Sequence, residues 1–330
     1  ILFFFQCSGH PVDPPSFPTR RSSDLVLPAA GAAKAVSVCP ATDITIPPEK
    51  DLISSFGWVT DVHYSVQPVR RIDNEDSTRV YAHSLAKLRQ ATDLFNTRKL
   101  DFVIELGDFK DCKDDGDREG TLEFLRTVER EFSRYNGPRY HVAGNHDFDK
   151  ITYEDFVTNV TNPGDANGKS YYSFVRGGVK YIVLDACYKD TKGNHYSEGN
   201  FNWVQTYVPD EELAWFKKEL ATGSEPIIVF THQNLNYWDK GPMNNWFIKN
   251  AADVVSAMEQ SGRVLAALSG HYHRGWYSVR NGIHYVVNQG LVERALPRNV
   301  FGIVHVGRNH TVYVEGFYNE RSHVCKPAKA

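Results

Sequence analysis

Five apolar runs in this chain stop abruptly at carboxylate, imidazole or amide side chains, always in one order. "SFGWV" runs into "TDVH", "FVIEL" into "GD", "RYHVA" into "GNHD", "IIVF" into "TH", and "VLAAL" into "SGHYH". Short apolar runs bounded by turn formers read as buried strands. Open α/β sheets build their sites at the carboxyl ends of such strands. A fold that buries all five runs must therefore gather Asp61, His63, Asp108, Asn145, His146, Asp147, His232, His271 and His273 along strand ends. Three polar groups of different chemistry side by side, as in "GNHD", are poorly suited to packing alone.

Between the runs the pattern alternates. Tyr81, Leu85, Leu88, Ala91 or Thr92, and Phe95 recur at helical spacing behind Ser77, which the pattern makes the cap. Leu125, Val128, Phe132 and Tyr135 repeat the spacing over 120–135 and end at Asn136-Gly137-Pro138. "PDEELAWFKKEL" and "NAADVVSAMEQSG" predict two further helices. The second half adds hairpins: "SYYSFV" and "VKYIVLD" flank Gly177-Gly178, and "WYSVR-NG-IHYVVN" carries the tight-turn signal. "VFGIVHV" and "TVYVEGFY" are strands without helices. This mixture predicts an α/β fold of two stacked sheets with helices on the outer faces.

With 41% hydrophobic and 23% charged residues in 330, one large domain is the preferred organisation. It is expected over 51–322, with 323–330 as a tail. A formal charge of -3 supplies no overall basic field for nucleic acid. No run of about 18 apolar residues could cross a bilayer. Residues 1–25 lack any structural period, and "PPSFPTRRSSDL" resembles a translated sequencing-library adapter, so this stretch is set aside as artefactual or disordered. Residues 26–50 read as a possible signal-peptide remnant and linker, with Ala33-Lys34-Ala35 as an A-x-A site. That favours export, periplasmic or extracellular, over the cytoplasm. Four cysteines beyond Cys7 read first as buried or unreactive thiols; if the chain is exported they allow three pairings, of which Cys39 with Cys325 is the attractive one. None forms a CxxC, which argues against a thiolate zinc site.

The ordered set D-x-H, GD, GNHD, H, GHxH resembles the calcineurin-like metallophosphoesterases from about residue 52 to about 275. "YYSF", "IVLDA" and "GIHYVVNQGLVE" add a diffuse similarity to the branch with class III cyclic-nucleotide phosphodiesterases and manganese-dependent ADP-ribose/CDP-alcohol diphosphatase-like proteins. The resemblance implies a four-layer αββα sandwich of two mixed sheets with a dinuclear metal centre at the strand carboxyl ends. It implies that Asp61, His63, Asp108 and His273 hold one ion and Asp108, Asn145, His232 and His271 the other, Asp108 bridging. Imidazole and carboxylate without thiolate suit Mn²⁺ first, with Fe or Zn²⁺ open. The chemistry expected is hydrolysis of a phosphoester by a water that two cations acidify. His146 is assigned to the leaving-group side and Asp147 to orienting its ring, with capping of the next segment the open alternative for Asp147.

The expected substrate is a small phosphodiester or diphosphate of nucleotide type. A phosphomonoester, or a binding module of the same fold without activity, stays as an alternative. The loops 187–203 and 233–247 carry Tyr196, Trp203, Tyr237, Trp238 and Trp246. From them Asn234, Tyr237 and Trp238 are the candidate substrate contacts, Asn236 an alternative to Asn234. Asp111 lies near enough to Asp108 to support it from behind. His83, His141, His284 and His305 are expected to be structural, and His195 is undecided. The oligomeric state is left open.

Overall fold

The computed structural model describes residues 44–71, 78–112, 117–239 and 245–327. The expected tail at 1–25, the A-x-A site, Cys39 and Ser77 lie outside the described residues. Strand β1 (Leu52–Val59) opens the first sheet, and a short ribbon of β2 (Arg70–Arg71) and β3 (Thr78–Arg79) follows. Helix α1 (Ser84–Phe95), β4 (Phe102–Glu105), α2 (Arg118–Phe132) and β5 (Arg139–His141) come next, then α3 (Tyr153–Asn159). The second sheet takes β6 (Tyr172–Arg176), β7 (Val179–Val183), α4 (Asp210–Ala221), β8 (Ile227–Phe230), α5 (Ala251–Ser261), β9 (Val264–Ser269), β10 (Arg274–Arg280) and β11 (Ile283–Gln289). The chain then returns to the first sheet through β12 (Val300–Gly307), β13 (Val312–Tyr318) and β14 (His323–Cys325).

The sheet orders are β14-β13-β12-β1-β4-β5 and β10-β11-β9-β8-β7-β6. In the first, β1, β4 and β5 run parallel while β12 lies antiparallel to β1. In the second, β7, β8, β9 and β11 are parallel and both edges are hairpin strands. Side-chain alternation then builds the layers. Phe56, Trp58, Phe102 and Ile104 of the first sheet meet Tyr181, Val183, Ile228 and Phe230 of the second in one buried cluster. The alternate residues Ile182, Val229 and Ala267 turn outward against Phe216 of α4 and Val254, Val255 and Met258 of α5. On the other side Phe95 of α1 lies against Gly57 and 5.6 Å from the Phe301 ring. The result is the expected four-layer αββα sandwich. Among the described residues no helix is long and apolar enough to cross a membrane.

Two expectations are corrected, and the cysteines follow the reading of buried thiols at Cys112, Cys187 and Cys325. The first helix begins at Ser84, behind a 3-10 turn at Tyr81–His83, instead of near Ser77. The backbone just before it is taken by a distant partner: Val80 N–H donates to Val292 O, and Arg79 bridges Glu293. The supposed tail at 323–330 begins with β14, which extends the first sheet by pairing Val312 with Cys325, so the domain runs past 322. Cys325 is a buried free thiol within the core between the sheets, which leaves the Cys39–Cys325 pairing unsupported.

Lys87, at the buried face of α1, ties down the chain between β11 and β12. Its Nζ donates to the carbonyls of Leu291, Glu293 and Arg294 at 2.7, 2.7 and 2.6 Å. Burial pushes its pKa down to about 8, while three acceptors in range favour the ammonium, which has three N–H groups to give. Lys87→Met would strand three carbonyls, so an unfolding titration should show a loss of about 3 kcal/mol. A change within experimental error would mean the lysine is dispensable to this loop.

Candidate metal centre

Each of the five predicted runs ends at one edge of the sandwich. β1 is followed by Asp61 and His63, β4 by Asp108, β5 by a 3-10 turn over Asn145–Phe148, β8 by His232 and β9 by His271 and His273. Asp61, His63, Asp108 and His271 have φ of 51°, 46°, 57° and 66°, the left-handed region that side chains rarely adopt. Such conformations cluster where function demands a particular side-chain direction. Here they are held by the backbone: Asp61 N–H donates to Gly107 O at 3.0 Å and His63 N–H to Asp108 O at 2.9 Å. Gly144 is required by close approach, since a Cβ there would lie 2.1 Å from the Asp108 nitrogen.

The side chains converge in groups with ligand atoms within 4.8 Å of one another: first Asp61, His63 and His273, second Asp108, His232 and His271, and, overlapping both, His63, Asp108 and His146. In the first, Asp61 Oδ1 lies 3.0 Å from His273 Nε2 and 3.7 Å from His63 Nε2. In the second, Asp108 Oδ2 lies 3.1 Å from His232 Nε2. The same Oδ2 is 3.5 Å from His63 Nε2 of the first group, so one carboxylate oxygen faces both. Asp108 Oδ1 is turned away and accepts from His146 N–H at 2.7 Å.

These residues fit a pair of cations on a specific test. Asn145 Oδ1 and His271 Nε2 are buried with no hydrogen-bond partner, and Asp61 Oδ1 and His232 Nε2 meet only His273 and Asp108 of the same groups. His63 Nε2 and His273 Nε2 stand 3.2 Å apart. Buried polar atoms are ordinarily satisfied, and a set of orphaned oxygen and imidazole acceptors aimed at one space is what borderline divalent ions require. Outer contacts hold the rings: His63 Nδ1 lies 2.5 Å from Asp111 Oδ1, His273 Nδ1 lies 2.7 Å from Glu293 Oε1, and His232 Nδ1 donates to Leu106 O at 2.8 Å. With Nδ1 engaged, Nε2 points its lone pair inward. Arg79, buried, lies 3.7 Å from Asp111 Oδ2 and supports that partner in turn.

Without cations the carboxylates draw protons onto the imidazoles. Burial opposes charge on both kinds of group, but Asp108 holds His232 up to about 10 and Asp61 holds His273 up to about 9. Conversely the histidines hold Asp61 and Asp108 well below the usual carboxylate range, against burial. His271, buried beside His232, is pushed well below its ordinary value and stays neutral.

The assignment of Asp147 to steadying His146 is overturned. Asp147 is fully buried and accepts from the backbone N–H groups of Asp108, Phe109 and Gly144 at 3.0, 3.0 and 2.9 Å. It clamps the turn that carries Asp108 against the turn that carries Asn145. The partner of the His146 ring is Asp149, with Oδ2 2.7 Å from Nδ1, and Asp111 lies 3.5 Å away. The i,i+3 spacing of His146 and Asp149 across the 3-10 turn was the signal available in sequence.

The substrate contacts also change. Asn234 is buried and donates to Ser269 Oγ and Gly270 O, both at 2.9 Å, which fixes the turn before His271. Tyr237 and Trp238 pack on the α4–α5 side of the second sheet, where Arg280 lies 5.6 and 5.0 Å from their ring centroids. Asn236 is buried. The aromatics that reach the centre are Trp203 and Trp246, 4.9 Å from each other and 5.6 and 4.9 Å from the His271 ring. Tyr196 is buried and stacks on Phe201. His195 has a structural role, bonding Asp185 at 2.9 Å.

Residues 54–275 match the model of the calcineurin-like phosphoesterase family. Similar proteins include a manganese-dependent ADP-ribose/CDP-alcohol diphosphatase from Oryza sativa subsp. japonica, 25% identical over 293 residues, 78% of this chain and 89% of that protein. The Homo sapiens protein of the same name is 24% identical over 306 residues, 76% of this chain and 86% of its own length. Among solved structures, a dimetal phosphatase from Danio rerio superposes with a TM-score of 0.72 at 18% identity, covering 84% of this chain and all of that one.

Two outcomes are expected. Because His232 and His273 hold protons that a cation must displace, Mn²⁺ binding should release protons and tighten as pH rises from 6 to 8. Calorimetry in buffers of different ionisation enthalpy measures that release, and binding without it would contradict the ligand geometry. Asp147→Asn should cost about 2 kcal/mol of stability by setting an amide against backbone donors, whereas Asp149→Asn should melt close to the parent.

Proposed function

The chain belongs to the calcineurin-like phosphoesterase family and is a metal-dependent hydrolase of phosphoester bonds; from that premise we propose that it cleaves the diphosphate bond of a nucleotide-type small molecule, with manganese in its centre. The observation that carries the reading is the single Asp108 oxygen facing both ligand groups. Asp61, His63, Asp108 and His273 would hold one ion, and Asp108, Asn145, His232 and His271 the other. Two divalent ions there would supply charge neutralisation at the phosphoryl oxygens and acidify a water for attack. The names of the similar proteins support manganese and the diphosphate bond.

The chain's own residues supply the rest. His146 has Nδ1 engaged by Asp149, which leaves Nε2 for the substrate. Asp149 and Asp111 raise its pKa to about 9 against the effect of burial, so the ring carries a proton at neutral pH and can give it to the leaving oxygen. Its backbone N–H orients Asp108, so ring and ligand move as one unit. The half-buried Trp203 and Trp246 beside His271 present ring faces of the kind on which a nucleobase stacks.

With Mn²⁺, a panel of ADP-ribose, CDP-choline, cyclic AMP, a generic diester and a generic monoester should rank the two diphosphates first. A monoester turned over faster than every other member would overturn the diphosphatase reading, and hydrolysis of none would favour a binding module. His146→Ala should keep its Mn²⁺ content while turnover drops by about 10²-fold or more. Parallel loss of metal and rate would place His146 among the ligands.

A further inference from the structure

Beside the metal centre, on the His273 side, lies a cavity of about 350 Å³. Its walls include Arg274, Arg294, Arg298 and Arg321, with Glu293 as the acidic member. That carboxylate is already engaged, accepting from Thr78 N–H at 2.6 Å and lying 2.7 Å from His273 Nδ1. The ion pairs among the described residues use none of Arg274, Arg298 and Arg321. Like charges gathered around a hollow repel one another, and an anion in the hollow relieves that repulsion. Planar guanidinium groups suit phosphate in particular, through paired N–H donors.

The cavity is also built in advance. Its loop is held by the three Lys87 bonds to Leu291, Glu293 and Arg294. Asn299 ties the far end by donating to Lys87 O and Gln90 Oε1, both at 3.0 Å, and Arg294 N–H donates to Thr78 O at 2.8 Å. A pocket fixed before binding loses less entropy when it fills. The two flanks of the centre therefore differ in chemistry: Trp203 and Trp246 lie against His271 of one ligand group, and the arginines adjoin His273 of the other.

We propose that the arginine-lined cavity is a phosphate subsite for the end of the substrate remote from the nucleoside. This rests on the diphosphatase reading above and narrows it. The base lies on the tryptophan flank, the scissile diphosphate at the metals, and a terminal phosphate monoester among the arginines. The substrate class is thus a nucleoside diphosphate ester whose non-nucleoside end carries a further phosphate.

Binding is tested first without metal. Calorimetry of the metal-stripped protein with ribose 5-phosphate should show binding that the surface double variant Arg298→Ala/Arg321→Ala weakens by about tenfold or more. No binding by the parent, or equal binding by both, overturns the subsite. With Mn²⁺, ADP-ribose phosphorylated on its terminal ribose should have a KM roughly tenfold below that of ADP-ribose, a gap the double variant should close. Equal KM values in the parent also overturn it. Ribose 5-phosphate binding without hydrolysis of either ester would strike the diphosphatase reading alone and leave the subsite standing.

Discussion

The structure depends on one electrostatic constraint: carboxylates and imidazoles converge at a buried point with their ligand atoms unsatisfied. Asn145 Oδ1 and His271 Nε2 are shut off from water with no hydrogen-bond partner, and Asp61 Oδ1 and His232 Nε2 meet only His273 and Asp108 of the same groups. Orphaned polar atoms in a low-dielectric setting are costly, and left-handed backbone at four of the ligand positions adds strain. Such an arrangement persists because the surrounding sheet edges over-determine it. Cations bound there would convert a folding liability into the binding free energy of the centre.

Everything near this point serves the same constraint. Asp147, which could have been a reactive group, clamps two turns through three backbone amides so that Asp108 and Asn145 keep their relation. Asn234 does the same for the turn before His271. Asp111 and Glu293 steady His63 and His273 from behind. Glu293 sits in the loop that buried Lys87 holds, so the first ligand group is coupled to α1 as well as to β1. Rigid strand ends, outer carboxylates and a pinned loop together give the preorganisation that a two-ion hydrolytic site needs.

The two flanks of the centre differ from each other in chemistry. A pair of tryptophans borders one ligand group and an arginine-lined hollow the other. An extended substrate with an aromatic end and an anionic end has one favoured direction across such a cleft. On the proposed reading the dinuclear centre would supply the reaction and the flanks the choice of ester.

The layered fold and the polar residues at the strand ends were legible in the sequence because those signals are local, and the resemblance they carry named the seven proposed ligands. An apolar run followed at once by Asp, Asn or His is a strand and its end, and Gly107 and Gly144 mark the turns that the backbone geometry requires. What only the tertiary structure decided are relations across the chain. His146 chose Asp149 over its neighbour Asp147, because the 3-10 turn points adjacent side chains apart and brings i+3 round to the ring. Tyr237 and Trp238 went to the outer face while Trp203 and Trp246 came to the centre, since the loops fold back on their own cores. The start of α1 and the arginine cavity likewise depend on distant segments meeting, Arg79 with Glu293 and Lys87 with Leu291, and the edge strand β14 on its pairing with β13. Composition and spacing carry no record of such meetings; only the packed chain does.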